Sequence, residues 1–239
     1  MADRTIALQT TRISKLLGGR AVLREIDLKV AEGDSVALVG ANGSGKTTLL
    51  RLLASVLRPS TGEVRWFGRP AKANPAARRL IALVAHESFL YPHLTLRENL
   101  IFAARMCDVH RPARRADQWL CEIGLEAHAH RLPTRISKGM RQRLAVARAL
   151  VHEPRIVLLD EPFSGLDSEG DEWLARLLTG LSSRGTTLCF ALHDEEKVRR
   201  LAHRVLRLRS GRLEELELGE AAAPSKTPFE DHTTAARAA

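Results

Sequence analysis

The chain has 239 residues, of which 44% are hydrophobic and 4% aromatic, and a formal net charge of +9. The length favours a single α/β domain with an aliphatic core, and no apolar stretch is long enough to span a bilayer. The first residues lack the apolar core of a signal peptide and the three cysteines lack metal or redox spacing, so we expect a cytoplasmic chain. Much of the positive charge is Arg scattered through helical patterns, which favours a solvated surface over a nucleic-acid site.

Strand and helix patterns alternate along most of the chain. In the first half of the chain the sequence predicts strands at 6–8 and 22–30 with a turn at 18–19 between them, a strand at 35–39, a helix from about 45 to 56, and strands at 63–67 and 80–85. Helices follow through most of 95–150. The last part is predicted as a strand at 155–160, a helix at 168–181, a strand at 186–192, a helix at 195–202 and a hairpin at 205–216. Residues 95–98 match a capping box, which marks a helix start. From residue 219 the composition turns to Ala, Pro, Thr and Ser without periodicity, which predicts a disordered tail at 219–239. The alternation predicts a mostly parallel sheet covered by helices on both faces.

A glycine-rich segment at 40–48 lies between the apolar strand at 35–39 and a helix. It fits the phosphate-loop pattern G-x-x-x-x-G-K-[ST], in which glycines let backbone N–H groups turn toward phosphate and the helix adds its positive end. Lys46 can reach the β- and γ-phosphates, and the Thr47 hydroxyl can bind Mg²⁺. The segment predicts a nucleotide site without deciding between ATP and GTP. Its candidate contacts are Gly40, Asn42, Gly43, Gly45, Lys46, Thr47 and Thr48.

Two carboxylates, Asp160 and Glu161, follow the apolar strand at 155–160. Ligand chemistry collects at the carboxyl ends of strands in open α/β sheets. Asp160 suits Mg²⁺, and Glu161 suits the positioning or deprotonation of an attacking water. Farther upstream, Ser137 is a good N-cap, and with Gly139 it forms a helix start that could also hold an anion.

Five segments in this order resemble the nucleotide-binding subunits of ATP-binding cassette (ABC) transporters. They are residues 40–47, 137–142, 158–162, 164–167 and 192–194, and the resemblance covers about residues 4 to 216. It implies an α/β fold with a P-loop NTPase core, which is a mostly parallel sheet with flanking helices. It also implies an N-terminal antiparallel β subdomain and a helical insertion at about 90–150, all within a single ATPase domain over 1–218.

The resemblance further implies how these segments act. Two cassettes would close head to tail around two ATP molecules, each with Mg²⁺ held by Thr47 and Asp160. Ser137 and Gly139 would contact the γ-phosphate of the ATP bound to the other cassette. The catalytic residues would be Glu161 and His193, with Asp167 communicating between the two sites.

Three positions depart from the usual pattern. His86 stands where the family has a Gln that meets Mg²⁺ and senses the membrane partner, so it is a candidate nucleotide-site and coupling residue. Lys138 replaces a glycine, which does not argue against activity. Leu16 or Leu17 falls where an aromatic residue usually stacks on adenine, which predicts aliphatic contact and weaker purine selection.

The expected function is the ATPase half of a membrane transporter. The partners would be a membrane-spanning permease and a second cassette, identical or different, with the chain peripheral on the cytoplasmic face of the inner membrane. Residues 86–91 look similar to the haem-exporter ATPases of cytochrome c maturation. One alternative is a soluble cassette ATPase of the iron–sulfur assembly type. The other is a nucleic-acid or ribosome-associated cassette protein. The single cassette and the absence of sustained heptads argue against it, so no nucleic acid is expected. The cargo and its direction stay open.

Overall fold

The computed structural model of the chain describes residues 5–73, 75–85 and 89–217. The predictions of a tail at 219–239 and of a role for His86 fall outside these residues. The strands are β1 (Ile6–Leu17), β2 (Arg20–Ala31), β3 (Ser35–Val39), β4 (Thr61–Trp66), β5 (Arg69–Pro70), β6 (Ile81–Val84), β7 (Ile156–Asp160), β8 (Thr187–Ala191), β9 (Arg204–Arg209) and β10 (Arg212–Leu216). The helices are α1 (Lys46–Leu53), α2 (Leu96–Met106), α3 (Pro112–Glu122), α4 (Lys138–Leu150), α5 (Ser168–Ser183) and α6 (Glu195–Leu201).

The strands form two sheets. A four-stranded antiparallel sheet has the order β2-β1-β4-β5, and a six-stranded sheet has the order β10-β9-β3-β8-β7-β6. In the second sheet β9, β3, β8, β7 and β6 run parallel, and β10 is an antiparallel edge strand. Because parallel strands need long crossovers, this order confirms the predicted α/β fold with an antiparallel β subdomain.

The apolar core lies on both faces of the six-stranded sheet. On one face, α1 and the inner side of the antiparallel sheet pack around Trp66, which is fully buried. The Trp66 indole N–H donates to the Leu53 carbonyl at 2.8 Å, so the last turn of α1 is tied to β4. On the other face, α2 to α6 form the second part of the core. β3 and β7 therefore lie between two apolar layers, as expected for strands with continuous apolar runs.

The helix boundaries follow local chemistry. The capping box at the start of α2 is confirmed, since Thr95 and Glu98 satisfy each other's backbone N–H groups. Pro112 occupies the first turn of α3, where its missing N–H costs nothing. α1 ends at Leu53 rather than near Val56, because Ser55 turns to a φ of +54°. No helix within the described residues is long and apolar enough to cross a membrane.

Candidate nucleotide site

The phosphate loop joins β3 to α1, and its glycines are required by the backbone. Gly40 has a φ of +148°, and a Cβ there would lie 2.5 Å from the Leu208 carbonyl oxygen and 2.9 Å from Ser44 Oγ. Gly45, the N-cap of α1, has a φ of +109°. Both positions exclude ordinary side chains, and the second aims the N-terminus of α1 into the loop.

Lys46 lies inside the loop and is 6% exposed. Its Nζ donates to the carbonyl oxygens of Gly40 at 2.8 Å and Ala41 at 3.1 Å. Burial lowers the pKa of Lys46, and the Glu161 and Asp160 carboxylates oppose this shift. The Ser44 hydroxyl is also buried and has no partner among the described residues. Within the described part of the chain the ammonium is held by carbonyls alone, beside an unpaired hydroxyl, and this arrangement fits an incoming phosphate.

The Thr47 hydroxyl and Asp160 meet directly. Thr47 Oγ1 donates to Asp160 Oδ1 at 3.0 Å, and Asp160, at the end of β7, is 3% exposed. A hydroxyl and a carboxylate are hard oxygen ligands, and they fit a Mg²⁺ ion that takes its remaining ligands from water and phosphate. Among the described residues no group of three or more His, Cys, Asp or Glu could hold a metal.

Glu161 and His193 form a second pair beside this position. His193 Nε2 lies 3.0 Å from Glu161 Oε1, and both side chains are partly exposed. Glu161 has a φ of +49°, an unusual backbone for a residue other than glycine, and its N–H donates to the Ala191 carbonyl at 3.2 Å. The ends of β7 and β8 thus hold a carboxylate and an imidazole in hydrogen-bond contact at the solvent edge.

The start of α4 packs against the loop that follows Glu161. Ser137 is the N-cap, and its hydroxyl accepts from the Met140 N–H at 3.2 Å. A Cβ on Gly139 would lie 3.3 Å from the Gly165 carbonyl oxygen. The buried Gln142 side chain donates to the Pro162 carbonyl at 2.8 Å. This last contact, which motif spacing gave no reason to expect, ties α4 to the residue after Glu161.

Asp167 has a local structural role that the sequence analysis missed. It is the N-cap of α5, its carboxylate accepts from the Gly170 N–H at 2.8 Å, and Arg143 Nη2 lies 3.6 Å away. Asp before a helix is a common cap, and that signal alone could have identified it. The Asp167 side chain is 77% exposed.

A cleft of about 1010 Å³ runs from the phosphate loop to the start of β2. Residues 40–44, including Asn42 and Gly43, and His193 line it. The predicted site residues that do not line it include Lys46, Thr47, Asp160, Glu161, Ser137 and Gly139. Thr48 lies in the first turn of α1. Leu16 and Leu17, at the end of β1, are 54% and 44% exposed.

The sequence model of the family described as ABC transporter matches residues 23–164. The chain belongs to the ABC transporter family. The matched residues include the phosphate loop at 40–48, Asp160 and Glu161.

Two relatives illustrate the match. The chain is 36% identical over 221 residues to the spermidine/putrescine import ATP-binding protein PotA of Oleidesulfovibrio alaskensis, covering 90% of the chain and 59% of that protein. It is 37% identical over 218 residues to the sulfate/thiosulfate import ATP-binding protein CysA of Bradyrhizobium diazoefficiens, covering 88% and 63%. The ABC chain thus spans about six tenths of the length of these relatives.

A solved structure has the same fold. The ATP-binding cassette MJ0796, in a dimeric post-hydrolysis state bound to ADP and Pi, superposes with a TM-score of 0.80 at 29% identity. The match covers 88% of the ABC chain and 98% of the solved one. The likeness confirms the expected P-loop fold, and the individual residue roles in this chain stay predictions.

Proposed function

We propose that this cassette hydrolyses ATP to drive transport through a separate membrane-spanning permease. The observation that carries the proposal is the convergence of Lys46, the Thr47–Asp160 pair and the Glu161–His193 pair at the ends of β3, β7 and β8. These are the groups that ATP hydrolysis requires: a phosphate cradle, oxygen ligands for Mg²⁺, and a base with an orienting partner.

In the proposed reaction Lys46 and the loop amides bind the β- and γ-phosphates. Thr47 and Asp160 would hold Mg²⁺, which when bound neutralises phosphate charge. Glu161 accepts the proton of the attacking water, and His193 fixes the orientation of that carboxylate through their 3.0 Å contact. The Glu161 and His193 side chains are both partly exposed, so water can reach them.

A second cassette completes the proposed site. Ser137 and Gly139 lie at the start of α4, and the family resemblance implies that they contact the γ-phosphate of the nucleotide bound to another cassette. The solved relative is described as dimeric. Asp167, held at the start of α5, and His86 would then lie near the shared nucleotide, as the family resemblance implies.

The permease is the proposed partner of the exposed apolar side chains on α2 and just before it. Phe89, Tyr91, Phe102 and Met106 are 48%, 44%, 38% and 67% exposed, and the Tyr91 and Phe102 rings are 4.8 Å apart. Exposed apolar clusters of this kind mark interaction surfaces. Through this contact the chain would sit at the cytoplasmic face of the membrane.

Import is the favoured direction of transport, because both relatives described above are named as import proteins. The haem-exporter hypothesis depends on the short segment 86–91 alone, and those two relatives give it no support. Which solute is carried is a question for the purified complex.

The test uses Glu161→Gln as bait in detergent-solubilised native membranes. Gln keeps the shape and the oxygen that faces His193 but cannot act as a base, so ATP turnover should fall by about 10²–10⁴-fold while ATP still binds. Glu122→Gln, which changes an exposed carboxylate on α3, is the matched control.

A multi-span membrane protein that co-purifies with the Glu161→Gln bait would support transport, and its identity would narrow the cargo. Recovery only with soluble assembly proteins or ribosomes would overturn the transport proposal and leave the ATPase chemistry intact. Unchanged turnover in Glu161→Gln would overturn the assignment of the base.

A further inference from the structure

The cleft beside the phosphate loop carries a concentration of positive charge that the proposed ATPase chemistry does not use. Five arginines line it, and within the described residues none of them forms a salt bridge, although Arg207 lies opposite Glu214 in the β9–β10 pair and the Arg212 charge helps to lower the pKa of Glu25. Glu195 is the only acidic residue among the described residues lining the cleft. The five are Arg20, Arg24, Arg207, Arg209 and Arg212.

Backbone packing fixes these arginines next to the loop. Arg207 is paired in register with Val39, the residue immediately before Gly40. The next residue, Leu208, presents the carbonyl oxygen that packs against Gly40. The Arg24 N–H donates to the Gly211 carbonyl at 2.7 Å, which holds the β9–β10 hairpin against β2. These contacts fix the backbone positions of Arg24 and Arg207 beside the phosphate loop, while the charged ends of the exposed arginines stay mobile.

Like charges in one cleft repel each other, so an anion that binds there gains from all of them at once. Guanidinium groups match phosphate oxygens with paired donors, and four of the five arginines are exposed and free to reorient. A nucleoside triphosphate already receives the Lys46 ammonium and the loop amides. The arginine wall thus exceeds what one triphosphate requires.

We propose that this wall, defined by the five arginines, is a second anion site that binds a chain of phosphates beyond the nucleotide's own triphosphate. The ligand is either free inorganic polyphosphate or a nucleotide that carries an additional phosphate. This inference goes beyond ATP hydrolysis, and its nucleotide-linked form rests on the proposed nucleotide site.

The experiment measures binding to the full chain by titration calorimetry at low ionic strength, where exposed charges are least screened. The probes are medium-chain inorganic polyphosphate, ATP and adenosine 5′-tetraphosphate. The test variant combines Arg207→Gln, Arg209→Gln and Arg212→Gln. The control variant combines substitutions that remove the same charge from exposed positions elsewhere: Arg105→Gln, Arg114→Gln and Arg135→Gln.

Polyphosphate should bind the wild-type chain and the control variant equally. It should bind the test variant about a hundredfold more weakly, at about fivefold for each lost charge contact. Lys46→Ala should lose ATP binding and keep polyphosphate binding. Binding in the presence of saturating ATP would identify free polyphosphate as the ligand. A preference for the tetraphosphate over ATP that the test variant loses would identify a nucleotide-linked phosphate.

Three results would overturn the second site. The first is that the wild-type chain binds neither polyphosphate nor the tetraphosphate. The second is that Lys46→Ala loses polyphosphate binding while the test variant keeps it. The third is that polyphosphate binding weakens equally in both triple variants. ATP turnover measured on the same preparations reports separately on the proposed ATPase.

Discussion

Replacing Gln142 with Leu removes the hydrogen bond that ties α4 to the loop after Glu161. Gln142 is 8% exposed, and its side-chain amide donates to the Pro162 carbonyl at 2.8 Å. Leu is similar in size but cannot donate, so the carbonyl is left buried without its partner. Losing this bond costs about 1–3 kcal/mol, and the added apolar burial of Leu returns roughly 1 kcal/mol. We expect the free energy of unfolding to fall by about 0–2 kcal/mol, centred on about 1 kcal/mol.

Gln142→Glu separates hydrogen bonding from shape. An ionised carboxylate of the same shape cannot donate and must also bury its charge, so Glu should destabilise the chain more than Leu at neutral pH. Because a protonated carboxyl can donate to Pro162, the penalty should shrink as the pH falls. Since Pro162 follows Glu161, both variants should also lower the turnover number more than they raise KM for ATP.

Urea unfolding followed by circular dichroism provides the measurement, with Gln118→Leu as the control. Gln118 is exposed on α3, and its substitution should change the free energy of unfolding by less than about 0.5 kcal/mol. If Gln142→Leu and Gln142→Glu both match this control, the hydrogen bond contributes nothing and the reasoning fails.

Three further predictions follow from single sites. Gly40→Ala should abolish ATP binding in calorimetry, because its Cβ would lie 2.5 Å from a β9 carbonyl oxygen. Gly68→Ala, where φ is also positive but the Cβ would meet open space, should keep it. Burial lowers the pKa of His152 from 6.5, so the unfolded chain binds the proton more readily than the folded chain. The stabilising contribution of the neutral imidazole is therefore full above pH 6.5 and is lost as the pH drops toward the pKa of His152 in the folded chain. His152→Gln should flatten the urea-unfolding profile in that acid window, and an unchanged slope would contradict this. Burial raises the pKa of Cys189 to about 12 and closes it to reagent, so iodoacetamide at about pH 8 should leave it unmodified in the native chain. Cys121 should react because it is exposed, although its hydrogen bond to Glu126 raises its pKa as well, and peptide mass spectrometry would measure both.

Features that depend on residues close together in the chain could be predicted from the sequence. The phosphate loop, the capping box at Thr95 and the apolar strands each depend on residues close together in the chain, and the structure has a turn, a helix start and strands at those places. The predicted end of α1 near residue 56 was wrong. Apolar residues continue the helical pattern past Leu53, and no Gly or Pro marks the turn at Ser55.

Strand order and contacts between distant segments could not be predicted from the sequence. Periodicity says which face of a strand is apolar, but not that β3 lies between β8 and β9. The Gln142–Pro162 bond and the arginine wall likewise join segments far apart in sequence. Asp160 and Thr47, 3.0 Å apart, were expected at one Mg²⁺ site only because each belongs to a known motif.

The neighbours of β3 also set when the nucleotide site comes into being. On a ribosome the phosphate loop emerges early, but β8 begins at Thr187 and β9 at Arg204, so β3 has no partner in its sheet until most of the chain is made. The Leu208 carbonyl that packs on Gly40 arrives later still. Such distant contacts delay folding, and a chain interrupted before β9 carries the motif without the site. Cellular ATP, which stabilises only what it binds, would then favour completed cassettes over unfinished ones.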